Sequence, residues 1–238
     1  MSRPNRHRLT EEELDKLLIK ELLSRYNQLR STRYIFAINY RELRTLIMES
    51  EQLWFSIPVR DPFTHHSSEK LRRILEISRL LHNFLAVAMS LKDHTNRVVD
   101  RVFTEDYFQI YENQVKSIFA DKQIPRFIQD LRNYSLHRQL PLAGSQTTLQ
   151  NNGPITTFIT LNKKKLLDWD GWSGVSKQYL KLSNEYISIQ QFIDNYYTDA
   201  KSFHQWLDSY FFTTYAQEYA HQQQTEIEEI KVFIPQPL

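Results

Sequence analysis

Residues 68–91, SEKLRRILEISRLLHNFLAVAMSL, contain the most apolar stretch of the chain, Phe84 to Met89. Apolar residues recur there at the spacing of one broad helix face, which is traced by Leu71, Ile74, Leu75, Ser78, Leu81, Leu85 and Ala88. The apolar run Leu80 to Leu91 is much shorter than the roughly 20 residues that span a bilayer. The pattern therefore predicts the buried central helix of a helical protein, with no membrane partner.

Helical patterning also precedes this segment. Thr10 with the glutamates that follow it forms a capping box, and the leucines behind them predict a first helix from Thr10 to Leu29. A second helix is predicted from Tyr34 to Trp54. The segment Pro58 to His66 holds two prolines and predicts a loop.

Two further helices are predicted after the central one, from Phe108 to Phe119 and from Pro125 to Leu140. Proline suits a first helical turn, which is the position predicted for Pro125, and Pro141 is expected to end the second of these helices. The chain up to Pro141 is therefore predicted to be helical throughout, apart from short breaks.

The residue pattern changes beyond Pro141 and is no longer helical. Polar residues from Thr147 to Gln150, an Asn152-Gly153 turn and a β-branched run from Ile155 to Leu161 predict a β-hairpin. Helical patterning returns from about Ser176 to Ile230. We therefore predict a mainly all-α protein with a helical core (1–141), a small β-hairpin insertion and connector (142–173), and long C-terminal helices packing on the same domain (174–238).

Composition narrows the possible functions. The chain has four glycines against 14 Phe and 13 Tyr, which disfavours phosphate-cradling loops and favours helices with aromatic packing. The 30 Lys and Arg nearly balance the 28 Asp and Glu, so any contact with RNA must be local. Because there is no cysteine and residues 1–8 do not resemble a secretory signal, we expect a cytoplasmic protein.

One predicted helix carries a set of side chains that are suited to acid–base chemistry and phosphate binding. Within the predicted helix 125–140, Arg132, Asn133, Leu136 and His137 fall within an arc of about 140° at 100° per residue. The opposite side of the helix is apolar, and it carries Ile124, Phe127, Ile128 and Leu131. A cationic, an amide and an imidazole side chain therefore share one face, where Asn133 lies at hydrogen-bonding spacing from His137.

This residue set fits RNA cleavage without a metal. That reaction needs a base for the 2′-hydroxyl proton, a cation for the developing phosphorane charge and a proton donor for the leaving oxygen. His137 and Arg132 can supply the first two, and a second copy of the histidine in a symmetric dimer can supply the third. The same pattern is also that of an exposed polar face on an ordinary amphipathic helix.

The run Leu131-Arg132-Asn133-Tyr134-Ser135-Leu136-His137 resembles the motif of the HEPN superfamily, in which Arg is followed after four to six residues by His. That superfamily includes toxins of toxin–antitoxin pairs, abortive-infection proteins and nuclease domains of CRISPR-associated RNA effectors. The resemblance implies a HEPN-like helical bundle, a metal-independent endoribonuclease and a homodimer with the motif at its interface. It implies catalytic roles for Arg132, Asn133 and His137, an RNA substrate, and a possible antitoxin or regulatory protein as partner.

Two other classes of function stay open. The superfamily includes inactive copies, so the chain could be a catalytically silent module that binds RNA, a nucleotide or a protein. It could also be a purely structural interaction protein, for which the Arg132 face is only solvated surface.

The remaining candidates have simpler interpretations. Asp130 is predicted to be a surface acid and His82 a hydrogen-bonded core histidine. Lys163-Lys164-Lys165 is expected to be a solvated turn, and the C-terminal tyrosines are expected to be core residues. No acid or third histidine lies at a metal-binding spacing from His65-His66, and the same is true of His204 and His221. We therefore assign no metal and no cofactor.

Overall fold

The structure is a computed structural model that describes residues 11–55, 66–102, 105–120, 122–148 and 156–222. Its elements, in chain order, are α1 (Glu11–Phe55), α2 (His66–Val102), α3 (Glu105–Val115), a π-helical turn (Lys116–Ala120), α4 (Gln123–His137), β1 (Gly144–Thr148), β2 (Thr156–Asn162), α5 (Lys163–Leu167), α6 (Gly174–Leu182), β3 (Tyr186–Ser188) and α7 (Ile189–Gln222). The predicted mainly all-α class is confirmed.

The N-terminal half is built on one continuous helix where two were predicted. α1 runs for 45 residues without a break. Ser31 and Thr32 lie at the expected junction, but their hydroxyls donate to the carbonyls of Asn27 and Gln28, four residues back, as side chains inside a helix do. With no glycine or proline there, nothing interrupts the backbone hydrogen bonds. The capping box at Thr10 lies outside the described residues.

The core lies where α1, α2 and α7 meet. Leu43 and Ile47 of α1 are fully buried, as are Ile77, Leu81 and Leu85 of α2. Aromatic ring pairs extend this contact to α7. They are Phe36 with Phe84 (centroids 5.4 Å apart), Phe36 with Tyr196 (6.1 Å) and Tyr40 with Tyr197 (3.8 Å). Polar contacts join the same helices, since Arg33 donates to both carboxylate oxygens of Asp208.

The central helix buries the face that the sequence predicts, with two exceptions. Its buried face continues from Ile77 to Val99, whereas Leu71 and Leu75 are more than half exposed. By length and composition, Ser68–Asp100 could cross a membrane, and 44% of its most apolar window is buried within the protein. Core helices have the same composition, and the packing of α2 against α1 is that of a core helix.

The predicted hairpin is present, with its first strand starting at Gly144 instead of Thr147, and a third strand joins it. β1 pairs antiparallel with β2, from Gly144 opposite Thr160 to Thr148 opposite Thr156, and the predicted Asn152-Gly153 turn lies outside the described residues. β2 also pairs with β3, so β2 is central. The backbone N–H of Ile159 donates to Glu51 of α1 over 2.8 Å, which fixes the sheet against that helix.

The C-terminal helical region is divided in two. α6 ends at Leu182 and β3 separates it from α7, a strand that the helical pattern predicted from about Ser176 did not indicate. The lysine run predicted as a turn forms most of α5 instead, and Lys163 donates to the carbonyl of Ser183 over 2.6 Å. Lys164 and Lys165 are exposed, as expected for a solvated segment.

Candidate functional site

Helix α4 is held in place by one fully buried face. Phe127, Ile128, Leu131 and Tyr134 have at most 1% of their surface exposed. Trp172 stacks against Phe127 at 5.7 Å and against Tyr134 at 5.6 Å between ring centroids. This is the side of the helix that the sequence predicted to be apolar, so the orientation of α4 about its axis agrees with the prediction.

A buried carboxylate adds a polar anchor to that face. Asp130 is only 3% exposed, which corrects its prediction as a surface acid. Its Oδ2 accepts the backbone N–H of Ser173, the N-cap residue of α6, over 3.0 Å, and Arg126 approaches Oδ1 at 3.4 Å. Asp130 therefore ties α4 to the start of α6.

Arg132 and Asn133 lie side by side on the opposite, polar face. Both are half-buried, and Arg132 Nη1 donates to Asn133 Oδ1 over 3.4 Å. This acceptor is a neutral amide, and among the described residues the guanidinium forms no ion pair. A guanidinium in that state suits a phosphate, which it can bind through two parallel N–H groups.

His137 is the last residue of α4 and its side chain is exposed. The helix ends here, three residues before the predicted Leu140, because the N–H of Gln139 donates to the carbonyl of Tyr134, five residues back, which already accepts the N–H of Arg138. The amide of Asn133 bonds to Arg132 in this structure, although the sequence also placed it at bonding distance from the His137 ring. The imidazole is therefore open to a ligand from solvent.

A second histidine lies against the motif from α2. His82 is half-buried, and its Nδ1 forms a 2.7 Å hydrogen bond with Ser135 Oγ, between Arg132 and His137 in the chain. One turn earlier, Ser78 Oγ accepts the N–H of Ala143 over 3.0 Å. His82 is thus hydrogen-bonded as predicted, but its partner lies within the motif, which the sequence did not indicate.

Exposed leucines surround the end of α4. Leu136 is 50% exposed, Leu140 45% and Leu142 57%. Isolated exposed leucines are common on protein surfaces, but three within seven residues, beside an exposed histidine, form an apolar border to the polar face. We call Leu136, Leu140 and Leu142 the leucine border.

The other candidates from the sequence lie away from this face or outside the described part of the chain. His204 is buried and bonded to Thr95, while Tyr196 is buried and Tyr197 stacks on Tyr40. Tyr210 stacks on Trp206 at 5.5 Å, whereas Tyr186 is 38% exposed. His65 lies outside the described residues, as do the side chains of His66, Tyr215 and His221.

No family model matches the chain, and no curated protein or solved structure matches it either. The site is therefore defined by its own geometry, which is a guanidinium, an amide and an imidazole on the open side of a helix whose other side is fixed in the core.

Proposed function

We propose that the chain is a metal-independent endoribonuclease of the HEPN type, with Arg132, Asn133 and His137 as its catalytic residues. The observation that carries the proposal is the arrangement of α4. Its buried face fixes the helix, while Arg132, whose visible hydrogen bond goes to an uncharged amide, and the exposed His137 occupy the open face. Rigid support of this kind favours catalysis because it positions the reacting groups before substrate binds.

The proposed reaction is a transesterification followed by release of two fragments. His137 takes the proton of a ribose 2′-hydroxyl, the 2′-oxygen attacks the adjacent phosphorus, and the bond to the 5′-oxygen breaks. Arg132 stabilises the negative charge of the phosphorane, and Asn133 orients the guanidinium or the phosphate. The leaving oxygen takes a proton from a protonated imidazole, so the products carry a 2′,3′-cyclic phosphate and a 5′-hydroxyl.

The proton donor is proposed to be His137 of a second copy of the chain. A twofold axis close to α4 would bring two copies of the same helix together, so that each imidazole faces the other protomer. The leucine border supports this arrangement because it supplies apolar surface beside the catalytic face. We further propose that the dimer acts in the cytoplasm as a toxin or phage-defence effector, controlled by an antitoxin or another regulatory protein.

The chemistry of the products tests this mechanism. Purified protein is incubated in EDTA with labelled RNA, and with the same RNA carrying a single 2′-deoxynucleotide at a mapped cleavage site. The proposal predicts cleavage that leaves cyclic phosphate ends, and loss of cleavage at the deoxy position only. Cleavage that persists at the deoxy position would contradict attack by the 2′-oxygen.

A silent binding module is the second candidate, and the leucine border favours it too. Exposed leucines beside an arginine are suited to holding a protein partner, with no chemistry required. RNA cleavage distinguishes the two candidates. The module would bind its partner through Arg132 and Leu136 but would leave every RNA intact.

A further inference from the structure

A cavity of about 380 Å³ lies beside the first half of α4, between α2, α3, the π-helical turn and α7. Its wall is mainly apolar and aromatic, and includes Met89, Tyr111, Val115, Phe119, Tyr196 and Phe203. Cavities of this size that have such walls are typical of small-molecule sites. We call it the aromatic cavity.

Two polar side chains in the wall of the aromatic cavity, Tyr111 and His204, already have partners within the protein. Tyr111 donates to Asn96 Oδ1 over 2.8 Å. His204 is hydrogen-bonded at both ring nitrogens, with Nδ1 at 2.8 Å from the carbonyl of Ala200 and Nε2 at 3.0 Å from Thr95 Oγ1. Because these two groups are satisfied and most of the wall is apolar, the interior suits an apolar ligand body better than a polar one such as a nucleobase.

The lining also includes three exposed cations, Lys92, Lys122 and Arg126. Lys92 donates to the neutral amide of Gln129 over 3.2 Å, whereas Lys122 pairs with Asp199 at 2.5 Å and Arg126 pairs with Asp130 at 3.4 Å. Of these three cations, Lys122 and Arg126 pair with carboxylates in the described part of the chain, whereas the hydrogen bond of Lys92 goes to an uncharged group. The first turn of α4 adds to this positive charge, since its N-cap residue Lys122 makes no side-chain capping bond.

We propose that the aromatic cavity binds a small amphipathic carboxylate, whose apolar body fills the cavity and whose single negative charge lies at Lys92. Lys92, whose hydrogen bond goes to a neutral amide, matches a monoanion, and the mainly apolar wall matches an aliphatic or aryl body. The inference does not depend on ribonuclease activity.

The position of the cavity places this ligand next to the candidate active site. Arg126 and Gln129 line it, and on α4 they are followed on the same face, one turn later, by Arg132 and Asn133. A ligand bound there would contact the same helix face that carries the catalytic residues, so its binding can be coupled to activity at that face.

The test is titration calorimetry with decanoate as the charged probe and decanol as its neutral counterpart. We expect decanoate to bind the full chain about tenfold more tightly than decanol, with a negative heat-capacity change from apolar burial. Failure of decanoate to bind at millimolar concentration would overturn the proposal. So would tighter binding of adenosine monophosphate at the same cavity.

Two variants locate the probe. Lys92→Gln should weaken decanoate binding about fivefold and leave decanol unaffected, while the exposed Lys116→Gln, which lies outside the cavity lining, should change neither.

Val175→Trp, at an exposed position of the lining, should weaken both probes about tenfold or more. Unchanged decanoate affinity in Lys92→Gln would refute the charged head-group site, and unchanged affinity of both probes in Val175→Trp would place them elsewhere. The unfolding midpoint of each unliganded variant shows whether it is folded.

Discussion

Asp130 shows how much a single buried acid can matter in this molecule. Its replacement by Ala would leave the N–H of Ser173 without its acceptor and Arg126 without its partner. We expect the free energy of unfolding to fall by about 1–3 kcal/mol, the typical cost of a buried polar group that loses its hydrogen bond. Urea denaturation measures this directly. Asp170→Ala is the matched control, because Asp170 is exposed, and equal stability of the two variants would show that the buried contact contributes nothing.

His204 makes stability depend on pH. Burial is the main cause that lowers its pKa from the usual 6.5 to about 4, and the positive charge of Arg33 lowers it further. Below pH 6.5 the unfolded chain binds a proton that the folded chain does not bind, so stability is lost as the pH falls from 6.5 towards 4 and then levels off. The full loss is roughly 3 kcal/mol at 1.36 kcal/mol per pH unit.

The variant His204→Gln isolates this effect, because Gln can still bond to Thr95 but does not titrate. Unfolding free energies of wild type and His204→Gln, measured between pH 7 and pH 4, should have different slopes, with the steeper loss in wild type. Parallel curves would mean that His204 is not held neutral by burial.

At the scale of residues, the sequence predicted what depends on local geometry. The rotation of 100° per residue placed Phe127, Ile128 and Leu131 on the buried side of α4 and Arg132 on the other. Asp130 could not be predicted in this way, because its partner Ser173 is 43 residues away in the chain. The same holds for His82, whose partner Ser135 is 53 residues away. Contacts of this kind depend on how the helices pack.

The length of α1 leads to a prediction at the scale of elements. Ser31 lies inside the helix, so Ser31→Pro would remove one backbone hydrogen bond and place the proline ring against the carbonyl of Asn27. We expect a loss of about 3 kcal/mol or more, seen as a lower midpoint of thermal or urea unfolding. Ser31→Ala, which keeps the backbone bond, should be close to neutral. If Ser31→Pro were as stable as Ser31→Ala, α1 would be two helices with a junction at this point.

Elements were predictable where one pattern extends over many residues. The β-branched run in 155–161 and the helical spacing in 68–91 each correspond to an element of the structure. β3 has only three residues, too few for a pattern, and it exists because Thr160 of β2 pairs with Ser188. The π-helical turn after α3 likewise left no recognisable signal in the sequence.

The proposed homodimer belongs to the scale of the whole molecule. If the leucine border lies at the interface, Leu136→Glu should convert the dimer into monomers, because a desolvated carboxylate without a partner opposes association. Light scattering coupled to size-exclusion chromatography gives the mass directly. Leu182→Glu is the control, since Leu182 is 74% exposed and lies at the end of α6, outside the leucine border. A wild-type protein that is monomeric at all concentrations would contradict the shared site.

The most direct test of the central claim is the rate of RNA cleavage in EDTA by wild type and by His137→Ala. Arg138→Ala is the matched control, because Arg138 is the exposed neighbour just after the helix. We predict that His137→Ala lowers the rate by at least about a hundredfold, the usual contribution of a general acid or base, and that Arg138→Ala stays close to wild type. Equal cleavage by wild type and a folded His137→Ala variant, or no cleavage of any RNA by wild type, would contradict an active site on α4.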